Sequence, residues 1–257
     1  MTLRLCMPDT IKRIMMSLDS CHGTDTLGTC TKEHFKSAST QALQRSYWDW
    51  TLDVKKLLKS DILSPSGFGG DGSATRTQSL SNGKTLNCVD DGPFSNLRPA
   101  YYAFDPINDA EHEEYCLHRK VVDGDSKDAE TSAKYYNSTY IGIVQESANY
   151  TSYRVALESG PHGIVHSSLS GEMNPSTSPN EPLFFLHHAQ IDRLWWLWQQ
   201  KDLSARQSDY GGIAKPNGST VTVGASLDDL LRMGGLAEDL TVRNVMSTIS
   251  SPFCYSY

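Results

Sequence analysis

The chain has 257 residues, a formal net charge of −7 and a hydrophobic content of 38%. This length suffices for one large domain or two small ones. The acidic balance argues against a nucleic-acid partner, which would call for clustered Lys and Arg, and disfavours binding to an anionic membrane surface. No apolar run approaches the roughly 18–20 residues of a membrane span. The first twenty residues lack the apolar core of a secretory signal, and the sequence assigns neither compartment nor oligomeric state.

The first half of the chain gives few periodic signals. Residues 1–46 are polar, with three scattered cysteines, and the aromatic segment SYWDWTLDVKKLL that follows predicts a short helix. Residues 64–87 are rich in Gly, Ser, Thr and Asn, which predicts a long loop. Cys88 and Cys116 could pair and close a loop over the segment between them.

The second half reads as helical from about Ala129, with a break at Gly160–Pro161. A loop rich in Gly, Asn, Pro and Ser then leads to EPLFFLHHAQIDRLWWLW, residues 181–198, in which Pro182 suits the first helical turn. This segment is the strongest predicted helix because its apolar-face positions recur at helical spacing. Those positions are Phe184, His188, Ile191, Trp195 and Trp198. The stretch ASLDDLLRMGGL, residues 225–236, predicts one further short helix that ends at glycine.

Three histidines of this half could share a metal ion. His162 and His166 in HGIVH are four residues apart, which on a helix puts their Cβ atoms about 5–6 Å apart on one face. His188, on the apolar face of the later helix, could supply a third imidazole. Three neutral imidazoles suit zinc, copper, iron or nickel. Gly163 stands where a zinc protease would need Glu, so that hydrolase is disfavoured.

Structural alternatives remain open for the same residues. A His pair at this spacing is more often incidental than ligating. A buried His188 needs a partner, and Asp192, one helical turn on, could form a His–Asp pair that only holds the helix. His187 points elsewhere on the helical wheel, which favours a packing or supporting role. The three tryptophans of this segment are predicted to lie in the core.

Two segments together resemble the second copper-binding segment of the tyrosinase family, the type-3 copper proteins. They are LESGPHGIVH and SPNEPLFFLHHAQIDRLWWLWQ, and the family has a His-x-x-x-His pair followed by Asp-Pro-x-Phe-x-x-His-His-x-x-x-Asp-Arg. The matching positions are Pro182, Phe184, His187, His188, Asp192 and Arg193. Glu181 stands where the family usually has Asp. YWDWTLD, FGGDG and CVDDGPF resemble fungal members, so the resemblance runs from about Tyr47 to the region of Tyr210.

The resemblance implies a mainly α fold: a helical-bundle core with long loops and little strand. It implies one domain overall, with residues 1–46 as a divergent or truncated N-terminal segment and residues 47–257 as a tyrosinase-like copper-binding domain. The copper ligands carried over are His162, His166 and His188, with His187 and Asp192 orienting the imidazoles. No catalytic group beyond the metal ligands is implied. The family uses two copper ions, of which this sequence clearly encodes one site.

The other copper site departs from the family pattern. Members have three histidines in the N-terminal half, two of them nine residues apart and the last in a Trp-His-Arg segment, which is absent here. The candidates are His22 and His34, which are twelve residues apart. His112 and His118 are predicted to be surface residues. Two explanations stay open: a truncated or mis-spliced version of an active enzyme, or a divergent relative that binds one copper or none.

The activity implied is a copper-dependent oxidation of o-diphenols, with monophenols as a further substrate class, to o-quinones by O2. The expected partners are therefore a small phenolic molecule and O2. In true tyrosinases Asn often follows the first ligand of this site, and Gly163 in that place favours diphenols. The alternatives are a catalytically impaired copper-binding homologue that keeps only the second site, and a structural fold that merely retains the histidines.

Overall fold

A computed structural model describes residues 43–102, 111–214, 223–250, 252–253 and 255–257. They form two compact units. The first unit comprises Tyr47–Glu146 and Arg154–Ile191, and the second comprises Ser147–Tyr153 and Asp192–Tyr257 with the described residues before Tyr47. The division into 1–46 and 47–257 stays a prediction, and His22 and His34 lie outside the described residues.

Helices dominate the described chain, which confirms the predicted fold class. The helices are α1 Lys127–Ala133, α2 Ser138–Gln145, α3 Tyr150–Leu157, α4 Gly163–Leu169, α5 Leu183–Gln200 and α6 Leu203–Arg206. Ser126 and Asn137 cap α1 and α2, since their side-chain oxygens accept the N–H groups of Ala129 and Tyr140. No helix among the described residues is both long and apolar enough to cross a membrane.

Strands occur only as short pairs. They are β1 Leu43–Gln44 with β10 Tyr255–Ser256, β2 Gly72–Ser79 with β3 Thr85–Val89, β4 Tyr101–Tyr102 with β5 Glu111–His112, β6 Ile213–Ala214 with β7 Val223–Gly224, and β8 Leu230–Leu231 with β9 Leu240–Thr241. The pair of β1 and β10 is parallel and the others are antiparallel. The predicted small strand content is thus confirmed.

The predicted loop at residues 64–87 was wrong in part, because β2 and most of β3 lie in it. Leu80 and Leu86 are buried there and pack with Tyr102 and with the disulfide-bonded Cys88 in one apolar cluster. The hairpin is therefore held by a few buried side chains, although polar residues dominate its composition. The disulfide joins Cys88 to Cys116, which confirms the pairing considered from the sequence.

The helix predicted at residues 225–236 was also wrong. Leu230–Leu231 pairs instead with Leu240–Thr241. The connection turns through Gly234 and Gly235, both at positive φ, and Asp239 accepts the backbone N–H of Met233 at 2.8 Å. Positive φ is readily available to glycine, so the two glycines favour a hairpin turn here over the end of a helix.

Aromatic side chains anchor both units, as their sequence clusters suggested. Trp50 is fully buried in the first unit, edge-on to Tyr136 with ring centroids 6.3 Å apart. Trp198 is fully buried in the second unit and stacks on Tyr153 at 4.9 Å. The core prediction is confirmed for Trp198, whereas its two tryptophan neighbours in α5 are half-buried.

A buried ion pair holds the start of α5. The guanidinium of Arg119 donates to both carboxylate oxygens of Glu181 at 2.7 and 2.9 Å, and also to the carbonyls of Gly69 and Gly70 at 2.6 and 2.9 Å. Glu181 Oε1 in turn accepts the N–H of Leu183, the first residue of α5, at 3.1 Å. Glu181 thus caps the helix, and the pair ties its N-terminus to the 68–70 loop.

Replacing Arg119 with Met should lower the free energy of unfolding by about 3–5 kcal/mol, because the Glu181 carboxylate would be left buried without its partner. Urea unfolding followed by circular dichroism measures this loss. The matched control is Lys55→Met, which removes the exposed pair with Glu130 in the same unit and should cost less than about 1 kcal/mol. Equal losses in the two variants would contradict the assigned role of the buried pair.

Candidate metal centre

Four imidazoles of the first unit converge on one point. His162, His166, His187 and His188 each offer a ring nitrogen, and these nitrogens lie within 4.8 Å of one another. His166 is slightly accessible, and the other three are buried. Among the described residues no other group of three or more His, Cys, Asp or Glu side chains could hold a metal ion.

The backbone that presents the first two histidines is irregular. A π-helical turn, Glu158–His162, separates α3 from α4, and Gly160 within it has φ −96° and ψ −114°. A Cβ on Gly160 would lie 2.7 Å from the ring of Tyr140, so only glycine fits there. Turns of this kind occur often at functional sites. The turn places His162 immediately before α4, and His166 follows one helical turn later.

Backbone carbonyls fix the orientation of these imidazoles. His166 Nδ1 lies 2.6 Å from the carbonyl of Met173, and His188 Nδ1 lies 2.8 Å from that of Phe184. A carbonyl only accepts, so both Nδ1 atoms hold the ring proton and the Nε2 lone pairs stay available. The ring of His162 has a corresponding backbone hydrogen bond with Glu158. Such bonds to the non-ligating nitrogen are the usual support of metal-binding histidines.

The remaining nitrogens fit a bound cation. His162 Nε2 and His188 Nε2 lie 3.1 Å apart, and His166 Nε2 is buried without a hydrogen-bond partner among the described residues. With the protons on the Nδ1 atoms of His166 and His188, lone pairs face one another in the cluster. A metal ion bound by these three nitrogens would satisfy all of them. The donor set of three neutral imidazoles fits copper.

His187 differs from the other three histidines. Its Nδ1 accepts the indole N–H of Trp50 at 3.2 Å, and both side chains are fully buried. A neutral imidazole has a single proton, which must then sit on Nε2. In this tautomer both nitrogens of His187 are engaged, so it offers no lone pair to a metal. The geometry therefore supports the predicted supporting role of His187 rather than a fourth ligand.

Burial keeps the cluster neutral. It lowers the pKa of His162 to about 3, with the neighbouring His166 adding to the effect. Burial likewise lowers the pKa of His166, and it holds the pKa values of His187 and His188 well below their ordinary value. Neutral imidazole is the form that binds metals. The interior thus supplies uncharged ligands throughout the neutral pH range.

The other candidates from the sequence have different surroundings. The carboxylate of Asp192 accepts the hydroxyls of Tyr255 and Tyr257 at 2.6 and 2.7 Å, within the second unit, so its predicted action on the imidazoles stays a prediction. His112 is exposed, as predicted. His118, predicted at the surface, is buried: this was wrong because its ring packs against those of two neighbouring tyrosines in the first unit.

Sequence reasoning missed the groups that orient the imidazoles. The Met173 and Phe184 carbonyls have no side-chain signature. Trp50 lies 137 residues from His187, and no local pattern links the two. The i, i+4 spacing of a helix does place Phe184 one turn before His188, so that carbonyl could have been found.

The comparisons with known proteins identify the family. The model of the common central domain of tyrosinase matches residues 29–201, more than half of the chain. The chain belongs to the tyrosinase family. This member is similar to tyrosinase ustQ of Aspergillus flavus, with 39% identity over 215 residues that cover 83% of this chain and 56% of the relative. It is also similar to oxidase hkm6 of Aspergillus hancockii, with 31% identity over 237 residues, 82% of this chain and 83% of the relative.

A solved structure supports the same fold. A mutant polyphenol oxidase from Thermothelomyces thermophila aligns with a TM-score of 0.58 and 24% identity, over 82% of this chain and 65% of that one. The chain spans about half the length of ustQ and of the tyrosinase-like protein phomQ1 of Diaporthe leptostromiformis. Tyrosinases are copper oxidoreductases, and the imidazole cluster of this member is able to bind the metal.

Removing individual imidazoles should separate ligands from supports. His188→Ala should weaken copper binding by on the order of a hundredfold or more, because one of three ligands is lost. His187→Ala should weaken it about 10- to 100-fold at most, the range of groups that only support a ligand. Chelator competition measures both affinities. The exposed His112→Ala serves as the control without effect, and a larger loss for His187→Ala than for His188→Ala would reverse the assignment.

Trp50→Phe tests the tautomer of His187. The variant keeps a ring in the core but removes the N–H, so the imidazole proton can move to Nδ1 and free Nε2 to bind. We expect the visible spectrum of cobalt bound in place of copper to change as a fourth nitrogen enters. The control is Trp48→Phe, since the Trp48 indole donates to the carboxylate of Asp53. Identical spectra for Trp50→Phe and the unmodified chain would refute the idea.

Proposed function

We propose that the chain oxidises o-diphenols to o-quinones with O2 in a copper-dependent reaction. The observation that supports this most is the set of three buried imidazoles, His162, His166 and His188, with Nε2 of two of them 3.1 Å apart. Relatives named as tyrosinase and oxidase, ustQ and hkm6, support the same class of chemistry.

The proposed reaction balances over two substrate molecules. Each o-diphenol loses two electrons and two protons, and O2 takes up four of each to give two water molecules. Copper, when bound, supplies reversible one-electron redox chemistry. The protein supplies a buried, neutral site in which the ring of Phe184 lies against that of His188, with centroids 3.9 Å apart. This contact and the Phe184 carbonyl together restrict rotation of the imidazole.

The choice of diphenols over monophenols rests on Gly163. This residue follows His162, where true tyrosinases often have Asn, and it offers no side chain to a substrate hydroxyl. A Cβ at this position would lie 3.2 Å from the Glu158 carbonyl oxygen, so the π-helical turn also leaves little room for a larger residue. A diphenol needs no hydroxylation step, and the lack of an amide here is therefore compatible with its oxidation.

A second copper ion would complete the family's usual centre, and its candidate ligands are His22 and His34. The alternative function is that of a catalytically impaired homologue that binds copper only through His162, His166 and His188. The chain spans 56% of the length of ustQ, so the activity of the whole protein is part of the proposal.

Oxygen uptake on copper-loaded protein tests the function. Catechol should be consumed at two molecules per O2, whereas tyrosine should react far more slowly. His188→Ala, loaded in parallel, is the control and should show no uptake above free copper. Metal analysis of the same samples distinguishes the alternatives, because one copper per chain without catechol-dependent uptake would support the impaired homologue and contradict the proposed enzyme.

A further inference from the structure

We propose that a cleft in the first unit, apart from the imidazole cluster, binds a small amphipathic carboxylate. The cleft has a volume of about 500 Å³. Its walls are residues 84–87 of the β2–β3 hairpin, residues 118–120 and the turn at residues 170–175, with the ring of Tyr102 between them. Ligand pockets commonly have about 300–1,000 Å³. None of its lining residues belongs to the candidate copper ligands, so the inference is independent of the proposed function.

The charge of the lining favours an anion. Lys84 and Lys120 line the cleft, and no Asp or Glu does. The third cation, Arg119, is committed to Glu181 and to carbonyls of the 68–70 loop. Burial lowers the pKa of Lys84, whose ammonium contacts the hydroxyl of Tyr102. An ammonium with reduced hydration gains more from a bound anion than a fully solvated one does.

A buried polar pair lies in and behind the wall. The side chain of His118 is 8% exposed, and its Nδ1 lies 3.5 Å from Oε2 of the fully buried Glu172. Neither atom has a hydrogen-bond partner among the described residues, whereas Oε1 of Glu172 accepts the Tyr115 hydroxyl at 2.9 Å. Burial lowers the pKa of His118 to about 4 and raises that of Glu172 to about 7. Incompletely paired buried groups of this kind are typical of functional sites rather than of plain cores.

The backbone of the cleft wall is held in an uncommon conformation. Ser170 and Gly171 have φ of +51° and +52°. A Cβ on Gly171 would lie 2.4 Å from the His118 carbonyl oxygen, which also accepts the N–H of Glu172 at 3.0 Å. A non-glycine residue at positive φ is strained, and such strain concentrates at ligand sites. The turn is thus pressed against the segment that contributes His118.

The mixed lining selects a carboxylate with an apolar body. Phosphate sites usually provide an arginine fork or the N–H groups of a helix start, and the only arginine in the lining is already paired. Leu86, Pro175 and the Tyr102 ring provide apolar surface, while Asn87 and Asn174 provide exposed amides that can donate to a carboxylate. A short-chain fatty acid matches both kinds of wall.

Calorimetric titration of the full copper-loaded chain with hexanoate tests the proposal. We expect a dissociation constant on the order of 1 mM, as befits so small a ligand. Hexanamide, the uncharged analogue, should bind at least tenfold more weakly, and inorganic phosphate should bind more weakly than hexanoate. Equal binding of hexanoate and hexanamide, or tighter binding of phosphate, would overturn the assignment of the ligand.

Two variants locate the binding. The double variant Lys84→Gln, Lys120→Gln should weaken hexanoate binding at least tenfold, and Thr85→Trp should block it by filling the cleft without changing the charge. The control is Lys59→Gln, an exposed lysine outside the cleft. Hexanoate bound instead to copper would be unaffected by the lysine variants, so unchanged affinity in the double variant would place binding elsewhere and refute the site.

Discussion

The position of one proton on each imidazole decides what the histidine cluster can do. In a dry interior the ring proton goes to the nitrogen that faces an acceptor, and the other nitrogen keeps its lone pair. The carbonyls of Met173 and Phe184 take the Nδ1 protons of His166 and His188. The indole of Trp50 imposes the opposite tautomer on His187. Four similar side chains thereby become three prospective ligands and one support.

The parts of this centre that follow local periodicity could be predicted from the sequence. The spacing of His162 and His166 and the apolar face of α5 both express the 3.6-residue helical repeat. The spatial convergence of these histidines with His188 followed from the family resemblance. The tautomers could not be predicted, because they depend on carbonyl positions and on the distant Trp50. The convergence of ring nitrogens within 4.8 Å had to come from coordinates.

The errors in the fold have a common cause, which is that a few buried residues outweighed local composition. The β2–β3 hairpin is written mostly in Gly, Ser and Thr, yet Leu80, Leu86 and the disulfide of Cys88 bury enough to hold it. His118 was misplaced at the surface for the same reason, since its burial comes from aromatic neighbours brought in by the β-pairing. Tertiary contacts of this kind override local propensity for short strands.

Helix α5 and its capping residue show how an apolar helix tolerates so many polar groups. Each of five polar side chains has a partner within its own unit. These are Glu181 with Arg119, His187 with Trp50, His188 with the Phe184 carbonyl, Asp192 with two tyrosine hydroxyls, and Gln199 with the Met246 carbonyl. Pairing offsets the desolvation that would otherwise exclude them. The apolar face and the chemistry of α5 are therefore compatible, because the hydrophobic surroundings that make the helix stable also keep its imidazoles neutral and available for a metal.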